Sequence, residues 1–442
     1  MMEVVFRQPQ LDHLFAAARG ETEIGAAVYL RYDEPSERYL VTHIEIAEGN
    51  DRLSATETEF TFAPQFLTRT TRIARISGLA YGLLHSHPSG CSNFSTIDDQ
   101  TEQLLGTFVA ERLNGHRAFS LLVCDERVRA RELAGSALLP VRSVGARVRR
   151  YNTDLHASVD GFDDRFDRQI RAFGADGQAA LSALRVAVVG LGGTGSVLAQ
   201  QLAHLGVGAF ELMDPDTVER SNLNRVVGAT LADIGRNKVD VACELIRSIH
   251  PNAEVTPIPE HAVSFGCAQR LRVVDCIFMC TDSHVSRAFL SEFAHQFVIP
   301  AFDVGVSINA NAGRVEAISG RTQMIAPGLA CLLCANALDA RVIREELMTT
   351  EQRKADPYFN SGGVHQPAVI SINSTMVSLT VSMFLSAFLD LPGNARWQFY
   401  DGIAGVVRAV ASRSDAECSV CGHSGVTALG ASRPLAFVGS VS

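Results

Sequence analysis

The chain has 442 residues, which is longer than a single hydrophobic core usually grows, so we expect at least two domains. Its net charge of −9 argues against nucleic acid or an anionic membrane as the main partner. The opening residues, MMEVVFRQPQLDHLF, lack the apolar centre of a secretion signal, which favours a cytoplasmic protein. Its ten cysteines are then expected to be reduced thiols or metal ligands.

The first 142 residues mix short strands and helices, which predicts an α+β domain. A helix is predicted over 97–115, because acidic residues crowd its first turn and Asn114–Gly115 ends it. The arginine-rich segment PVRSVGARVRRYN lacks a clear apolar face, so we interpret 143–159 as a linker or domain edge. The predicted strands are the apolar segments 24–32, 39–47, 76–88 and 118–126.

The segment LLHSHPSGCSNFSTIDD suggests a metal site. His85 and His87 end a predicted strand, and the two-residue period of a strand turns both imidazoles to one face. Asp98 lies in the first turn of the next helix. Two imidazoles and a carboxylate make a three-ligand zinc site with a fourth position for water, whose pKa falls towards about 7 on zinc. Ser95 could donate a hydrogen bond to a developing oxyanion.

Hydrolysis at such a site also needs a base, and the nearby sequence offers two. Glu21 and Glu23 both precede the strand in ETEIGAAVYL. The spacing before the Gly-Ala pair favours Glu23, and Glu21 stays possible.

The pattern H-x-H-x7-S-x-x-D resembles that of the JAMM (JAB/MPN) metallopeptidases, over roughly residues 1–140. That family hydrolyses peptide or isopeptide bonds that follow ubiquitin or ubiquitin-like proteins. The resemblance implies that both histidines and Asp98 bind a catalytic zinc ion, that Glu23 polarises the attacking water, and that Ser95 steadies the tetrahedral intermediate.

From about residue 160 the pattern becomes strand–helix alternation, which predicts a doubly wound, mostly parallel sheet with helices on both faces. We assign this second domain to 160–428 and a loosely held tail to 429–442. Beyond the first strand–turn–helix unit, the predicted elements are a helix over 237–249, strands over 254–257 and 276–280, a helix over 285–297 and a strand over 298–302.

A glycine-rich turn, GLGGTG, joins the first strand of this domain to its first helix. Such a turn lets the backbone approach phosphate, and the helix N-terminus favours the anion. Asp214 ends the next strand and could bind a ribose hydroxyl. These features fit an NAD(P)-dependent oxidoreductase as well as an ATP-using enzyme. The turn supplies Gly190, Gly192, Gly193 and Gly195.

Polar residues further along favour a triphosphate. Asp216, Asn222 and Arg225 follow the ribose acid, and Lys238 begins a helix. Asp282 ends a strand at the carboxyl edge of the sheet, where ligands bind. The two cations can neutralise a triphosphate and the last carboxylate can hold Mg²⁺, whereas hydride transfer needs neither.

Residues 160–425 resemble the adenylating domain of ubiquitin-activating enzymes and of their bacterial ThiF-type relatives, which activate sulfur-carrier proteins for thiamine and molybdopterin synthesis. The segment RFDRQIRAFGADGQAAL is also typical of that family. The resemblance implies a homodimer in which Arg168 reaches the partner subunit's ATP. It also implies attack of a C-terminal glycine carboxylate on the α-phosphate, giving an acyl-adenylate and pyrophosphate.

Two Cys-x-x-Cys pairs, Cys331–Cys334 and Cys418–Cys421, can form a closed four-thiolate zinc site, which is structural because no position stays open. The activating family carries the same arrangement.

Many activating enzymes form a thioester on a cysteine that precedes the last apolar helix. Here that loop, DPYFNSGGVHQPAVI, has no cysteine, so direct transfer from the adenylate, or an oxygen nucleophile such as Ser361, is expected instead. The following apolar segment, 368–391, carries Asn373 and several hydroxyl residues, which favours a buried helix over a membrane span.

Together these features predict one chain that processes and then activates a ubiquitin-like protein ending in glycine, with a possible downstream conjugating protein. A sulfur-carrier pathway would use the same motifs and is the main alternative. An oxidoreductase and a non-catalytic scaffold remain as further alternatives.

Overall fold

The computed structural model describes residues 2–88, 90, 92–151, 162–349, 351–352, 367–411 and 413–439. These residues form two compact units, one made chiefly by residues before 152 and one made chiefly by residues after 161. The predicted linker from residue 152 onward, Ser361 and most of the cysteine-free loop lie outside the described residues.

The first unit is built on a nine-stranded mixed sheet in the order β11-β10-β1-β3-β2-β6-β7-β8-β9, with β4 and β5 forming a separate hairpin. Its helices are α1 (Gln8–Ala17), α2 (Pro64–Ile76) and α3 (Thr96–Leu113). Its strands are β1 (Glu3–Arg7), β2 (Gly25–Asp33), β3 (Arg38–Ile46), β4 (Arg52–Ala55), β5 (Phe60–Phe62), β6 (Ala80–Ser86), β7 (Ala118–Cys124), β8 (Arg127–Glu132), β9 (Leu138–Leu139), β10 (Val141–Val144) and β11 (Val148–Tyr151).

Both faces of this sheet are covered, which explains the continuous apolar sequence of its central strands. Val28 of β2 belongs to a core that includes Leu11 and Leu14 of α1. The next residue, Tyr29, belongs to a second core with Phe66 of α2 and Val109 of α3. The four predicted strands and the predicted helix are confirmed to within a few residues, whereas α1 and α2 were not predicted.

The linker interpretation was wrong for the residues up to Tyr151. Val141–Val144 pairs in parallel with β1, and Val148–Tyr151 pairs with β10 in an antiparallel manner. Each of these two short strands has apolar residues only at its ends, with two polar residues between them, and Arg142 is buried because its guanidinium is paired with Glu3. The arginine content hid a strand pattern whose charge is neutralised inside the sheet.

The second unit contains an eight-stranded sheet in the order β14-β13-β12-β15-β16-β17-β18-β19. Its strands are β12 (Arg185–Val189), β13 (Ala209–Met213), β14 (Glu254–Ile258), β15 (Cys276–Met279), β16 (Ala301–Asn311), β17 (Arg314–Ile325), β18 (Trp397–Asp401) and β19 (Val406–Ala409). Its helices are α4 (Asp167–Ser182), α5 (Gly195–His204), α6 (Lys238–Ile249), α7 (Phe265–Leu271), α8 (His284–Gln296), α9 (Ala340–Leu347) and α10 (Ile370–Phe388).

The sheet is parallel from β14 to β16 and antiparallel from β16 to β19. The doubly wound prediction is therefore confirmed for one half of the sheet, and the antiparallel half was missed. The predicted strand 298–302 begins only at Ala301 and continues to Asn311. Exposed residues dominate β19 and the outer part of β17, so these strands lack the buried apolar pattern that reveals a strand in a sequence.

Helix α10 is the one described helix that is long and apolar enough to cross a membrane by length and composition. Half of the apolar stretch of this helix is buried within the protein. Thr380 donates a hydrogen bond to Thr322 of β17, and Gln201 of α5 donates one to Ser378. These contacts are those of a helix packed against a sheet, in agreement with the predicted buried helix.

Candidate functional site

The pairing of β2 with β6 brings Glu23 to the two histidines. Gly25 lies opposite His85 in this antiparallel pair. The same register, continued for two residues, places Glu23 opposite His87, and Glu23 Oε1 lies 4.0 Å from His87 Nε2. Glu23 is buried whereas Glu21 is exposed. Of the two acids that the sequence left open, Glu23 is the one that lies at the site.

Asp98, in the first turn of α3, completes a group of three possible metal ligands. His85 Nε2 is 3.2 Å from His87 Nε2 and 3.1 Å from Asp98 Oδ1. His87 Nε2 is 3.5 Å from Asp98 Oδ2. Ligand atoms bound about 2.0–2.1 Å from a tetrahedral zinc ion lie roughly 3.3 Å apart. The donor set and its spacing therefore fit a zinc ion.

Ser95 has a structural role here that the sequence analysis did not separate from the catalytic one. Its hydroxyl oxygen accepts a hydrogen bond from Asp98 N at 3.1 Å, and Asp98 Oδ2 accepts one from Ser95 N at 2.5 Å. This reciprocal capping begins α3 and fixes the Asp98 carboxylate. The Ser95 hydroxyl acts as an acceptor in that bond, so its proton is free for another partner.

The two carboxyl groups of this site have opposite protonation tendencies. Burial raises the pKa of Glu23, although His85 and His87 act against the rise. Burial also disfavours ionised Asp98, but the hydrogen bonds from both histidines outweigh it and hold the pKa of Asp98 well below its usual range. Asp98 therefore suits a permanently charged ligand, and Glu23 suits a group that takes up and returns a proton.

A cavity of about 740 Å³ lies at the carboxyl edge of the second sheet. Of the predicted nucleotide residues, Gly195 and Arg168 do not line it: Gly195 is buried behind the turn, and Arg168 is exposed on α4. The predicted residues that line it are Gly190, Gly192, Gly193, Asp214, Asp216, Asn222, Arg225, Lys238 and Asp282.

The structure requires glycine at different positions of the turn for different reasons. Gly190 has a φ of +88°, and an added Cβ would lie 2.7 Å from the carbonyl oxygen of Cys280. At Gly195 a Cβ would lie 1.8 Å from the carbonyl oxygen of Gly190. Gly192 has no atom within 4 Å of an added Cβ. The first two permit the strand and helix to pack closely, and Gly192 leaves space for a ligand.

This difference gives a stability prediction. Gly195→Ala should lower the free energy of unfolding by about 1–3 kcal/mol or more, because the new methyl group meets rigid backbone. Gly192→Ala is the matched control, and it should unfold at the wild-type denaturant concentration. Denaturant titration followed by circular dichroism measures both. Equal stability of the two variants would contradict the close-packing role of Gly195.

Asp214 is held in place at the floor of this cavity. Its Oδ2 accepts a hydrogen bond from Leu191 N at 2.6 Å and its Oδ1 accepts one from Asp216 N at 2.8 Å. Lys238 Nζ is 2.7 Å from Asp216 Oδ2 and 4.0 Å from Asp214 Oδ1. Burial raises the pKa of Asp214, and Lys238 opposes this rise. The arrangement presents a fixed carboxylate and a nearly buried ammonium to one ligand.

Other cavity residues come from distant parts of the chain. Arg225 donates a hydrogen bond to Ser221 O at 2.7 Å, and Asn222 closes the same turn by accepting one from Glu219 N. Asn373 of α10 and Arg287 of α8 also line the cavity, and sequence reasoning did not assign either to it. Arg287 could have been noticed as an arginine one turn after Asp282.

The four predicted zinc-binding cysteines lie together in the second unit. Cys331 Sγ is 3.6 Å from Cys418 Sγ, and Cys334 Sγ is 3.5 Å from Cys421 Sγ. Disulfide sulfurs lie about 2.05 Å apart, whereas thiolates about 2.3 Å from a tetrahedral zinc ion lie roughly 3.8 Å apart. The contact between Cys331 and Cys421 lowers the pKa of Cys421 and raises that of Cys331. The cluster fits a structural zinc ion.

Cys418→Ser should remove this metal and lower the melting temperature, since the site joins the segments before α9 and after β19. Zinc content measured by elemental mass spectrometry should fall by one ion per chain. Cys243→Ser is the matched control, because Cys243 is buried in α6 outside the cluster. Unchanged zinc content in Cys418→Ser would contradict the assignment.

A family model described as the ThiF family matches residues 166–420, which leaves the first 165 residues outside the match. The Molybdopterin-synthase adenylyltransferase of Escherichia coli is 29% identical over 261 residues, which cover 59% of this chain and 96% of that protein. The SAMP-activating enzyme E1 of Haloferax volcanii is 26% identical over 268 residues, which cover 60% of this chain and 91% of that protein. The Adenylyltransferase and sulfurtransferase uba4 of Aspergillus clavatus is 36% identical over 132 residues, which cover 29% of this chain and 27% of that protein.

Proposed function

The chain belongs to the ThiF family, and from that premise we propose that its second unit adenylates the C-terminal carboxylate of a small carrier protein. The observation that carries the proposal is the 740 Å³ cavity, which combines a glycine-rich helix start, a buried ribose acid and two cations. The names of the relatives support the same reaction, because all three contain adenylyltransferase or activating enzyme.

In this proposal the turn at Gly190–Gly193 and the start of α5 receive the phosphates, and Asp214 accepts hydrogen bonds from the ribose hydroxyls. Arg225 and Lys238 offset the charge that develops as the carrier carboxylate attacks the α-phosphorus and pyrophosphate leaves. Asp282 would hold Mg²⁺, which neutralises phosphate charge when bound. Asn222 orients the turn that carries Arg225.

Arg168 would enter such a site only from a second subunit, since its exposed position on α4 lies outside the cavity of its own chain. A homodimer is therefore part of the proposal. An Arg168→Ala variant that loses activity alone but recovers it when mixed with a Lys238→Ala variant would support shared sites.

The carrier is proposed to be a sulfur carrier or a ubiquitin-like protein that ends in glycine. A relative named as a molybdopterin-synthase enzyme and one named as a sulfurtransferase favour the sulfur carrier. The SAMP-activating relative keeps the ubiquitin-like alternative open. An oxidoreductase is disfavoured, because hydride transfer has no use for Lys238 and Arg225 beside the phosphates.

For the first unit we propose zinc-dependent cleavage of a peptide or isopeptide bond, supported by the 3.1–3.5 Å spacing of three ligand atoms beside a buried acid. His85, His87 and Asp98 would hold the zinc ion, which supplies an acidified water when bound. Glu23 takes the proton of the attacking water and passes it to the leaving amine. Ser95 donates a hydrogen bond from its hydroxyl group to the developing oxyanion.

The two activities would act in sequence on one carrier. Cleavage after a terminal glycine exposes the carboxylate that adenylation requires, so a precursor with extra residues must be trimmed first. The same cleavage could release a carrier from a target.

One experiment tests both parts. The protein is incubated with Mg²⁺, ATP, labelled pyrophosphate and a panel of small carrier proteins, each with and without a C-terminal extension. We expect ATP–pyrophosphate exchange with a carrier that ends in glycine, and exchange with its extended form in the wild type but not in Glu23→Gln. Exchange with no member of the panel would contradict adenylation, and exchange without trimming would contradict the peptidase.

A further inference from the structure

Glu346 of helix α9 bonds to the start of α8 through both of its carboxylate oxygens. None of the eight residues of α9 is fully buried, and its apolar residues Val342, Ile343 and Leu347 are only partly buried. Glu346 Oε1 accepts a hydrogen bond from His284 N at 3.0 Å, and its Oε2 accepts one from Val285 N at 2.9 Å. The Ser283 hydroxyl donates to Glu346 Oε2 at 2.7 Å. A second link joins Asp339 N to His284 Nδ1 at 3.0 Å.

These bonds complete the first turn of α8. The amides at the start of a helix have no partner within it. Here Glu346 takes those of His284 and Val285, and the Ser283 hydroxyl oxygen accepts from Ser286 N at 3.1 Å. Arg287 N then bonds to Ser283 O at 3.1 Å. A carboxylate from elsewhere in the unit thus occupies the place where a helix start would otherwise receive an anion.

The turn that Glu346 holds carries the acid proposed for Mg²⁺. Residues 280–283 connect β15 to α8, and Asp282 is exposed on this turn towards the cavity. Ser286 and Arg287, in the first turn of α8, line the same cavity. The orientation of the Asp282 side chain therefore depends on the position of the α8 N-terminus, which the hydrogen bonds to Glu346 hold in place.

We infer that Glu346 is a positioning residue for Asp282, and that α9 acts on adenylation through this one carboxylate. The inference rests on the proposed function of the second unit. Because Glu346 fills the helix start of α8, that start cannot hold a ligand phosphate. The start of α5 is left for the phosphates, and Asp282 is left to hold their metal ion.

The test compares Glu346→Gln with Glu345→Gln. Glu345 is a matched control, because it lies on the same helix and pairs only with Arg341 at the surface among its described contacts. Residue-resolved hydrogen exchange is expected to be about tenfold faster at His284 and Val285 in Glu346→Gln, since a charged acceptor is lost. The Mg²⁺ concentration for half-maximal ATP–pyrophosphate exchange is expected to rise about tenfold in the same variant. Glu345→Gln should change neither quantity.

A double-mutant cycle separates positioning from a general loss of stability. In an Asp282→Asn background, Glu346→Gln should add no further rise in the Mg²⁺ requirement, because the group it positions is already gone. An additive effect, or faster amide exchange with a wild-type Mg²⁺ requirement, would overturn the inference. Failure of the proposed function would be visible earlier, as wild-type protein that neither binds ATP with Mg²⁺ nor exchanges pyrophosphate.

Discussion

Lys238→Ala is expected to lower the rate of carrier adenylation by roughly 10²- to 10³-fold, as removal of one preorganised donor to a developing charge does in other enzymes. Lys238 is nearly buried, and its ammonium lies 2.7 Å from Asp216 Oδ2. Its loss removes the ammonium that lies 4.0 Å from Asp214 and leaves the Asp214 and Asp216 carboxylates without it in the proposed ATP site. Both effects raise the energy of the transition state. ATP–pyrophosphate exchange at saturating ATP measures the change.

Arg236→Ala is the matched control for this variant. Arg236 is two residues away and cationic, but it pairs with Asp233 and Glu244 and does not line the cavity. Its exchange rate should stay near that of the wild type. A Lys238→Ala rate within about twofold of the Arg236→Ala rate would contradict a role for Lys238 in phosphate chemistry.

Glu23→Gln is expected to abolish trimming of an extended carrier, with a loss of roughly 10²- to 10⁴-fold, because an amide cannot take the proton of the attacking water. The zinc content should stay at the wild-type value, since Glu23 is not among the three grouped ligands. Mass spectrometry of the carrier and elemental analysis of the protein follow the two quantities. Adenylation of a carrier that already ends in glycine should be unaffected.

Glu21→Gln tests the acid that the sequence analysis kept as an alternative to Glu23. Glu21 is exposed and two residues from Glu23, so its amide should leave trimming intact. The assignment would be overturned if Glu21→Gln lost trimming while Glu23→Gln kept it. Equal loss in both variants would instead indicate a disturbed loop before β2.

The extent to which the sequence revealed each site depended on the distance along the chain between its residues. His85, His87 and Asp98 lie within one strand–loop–helix segment, so their spacing was enough to group them. The position of Glu23 beside His87 depends on the register of β2 against β6. The sequence does not show that register, so it offered Glu21 as well as Glu23. Ser95 was assigned chemistry alone, although its Ser-x-x-Asp spacing before α3 is also a sequence signature of a helix cap.

The second unit follows the same rule. The glycine-rich turn and Asp214 belong to one strand–helix–strand segment, and their positions were predicted. Asn373 and Glu346 reach the cavity or its edge through packing of separate helices, which no local pattern encodes, whereas Arg287 follows Asp282 closely enough in sequence to have been noticed. The antiparallel strands β17–β19 were missed because many of their residues are exposed. Arg168 remains a prediction, since one chain cannot test a contact made by two.

The most direct test of the central claim follows the oxygen atoms of the carrier. A carrier protein is prepared with ¹⁸O in its C-terminal carboxylate and incubated with the protein, ATP and Mg²⁺, and the acyl-adenylate is then cleaved at its carbonyl carbon by an added thiol or amine. If the carboxylate attacks the α-phosphorus, the recovered AMP must carry one ¹⁸O and pyrophosphate must be released in equal amount. AMP without the label, or release of ADP and phosphate instead, would contradict adenylation of the carrier.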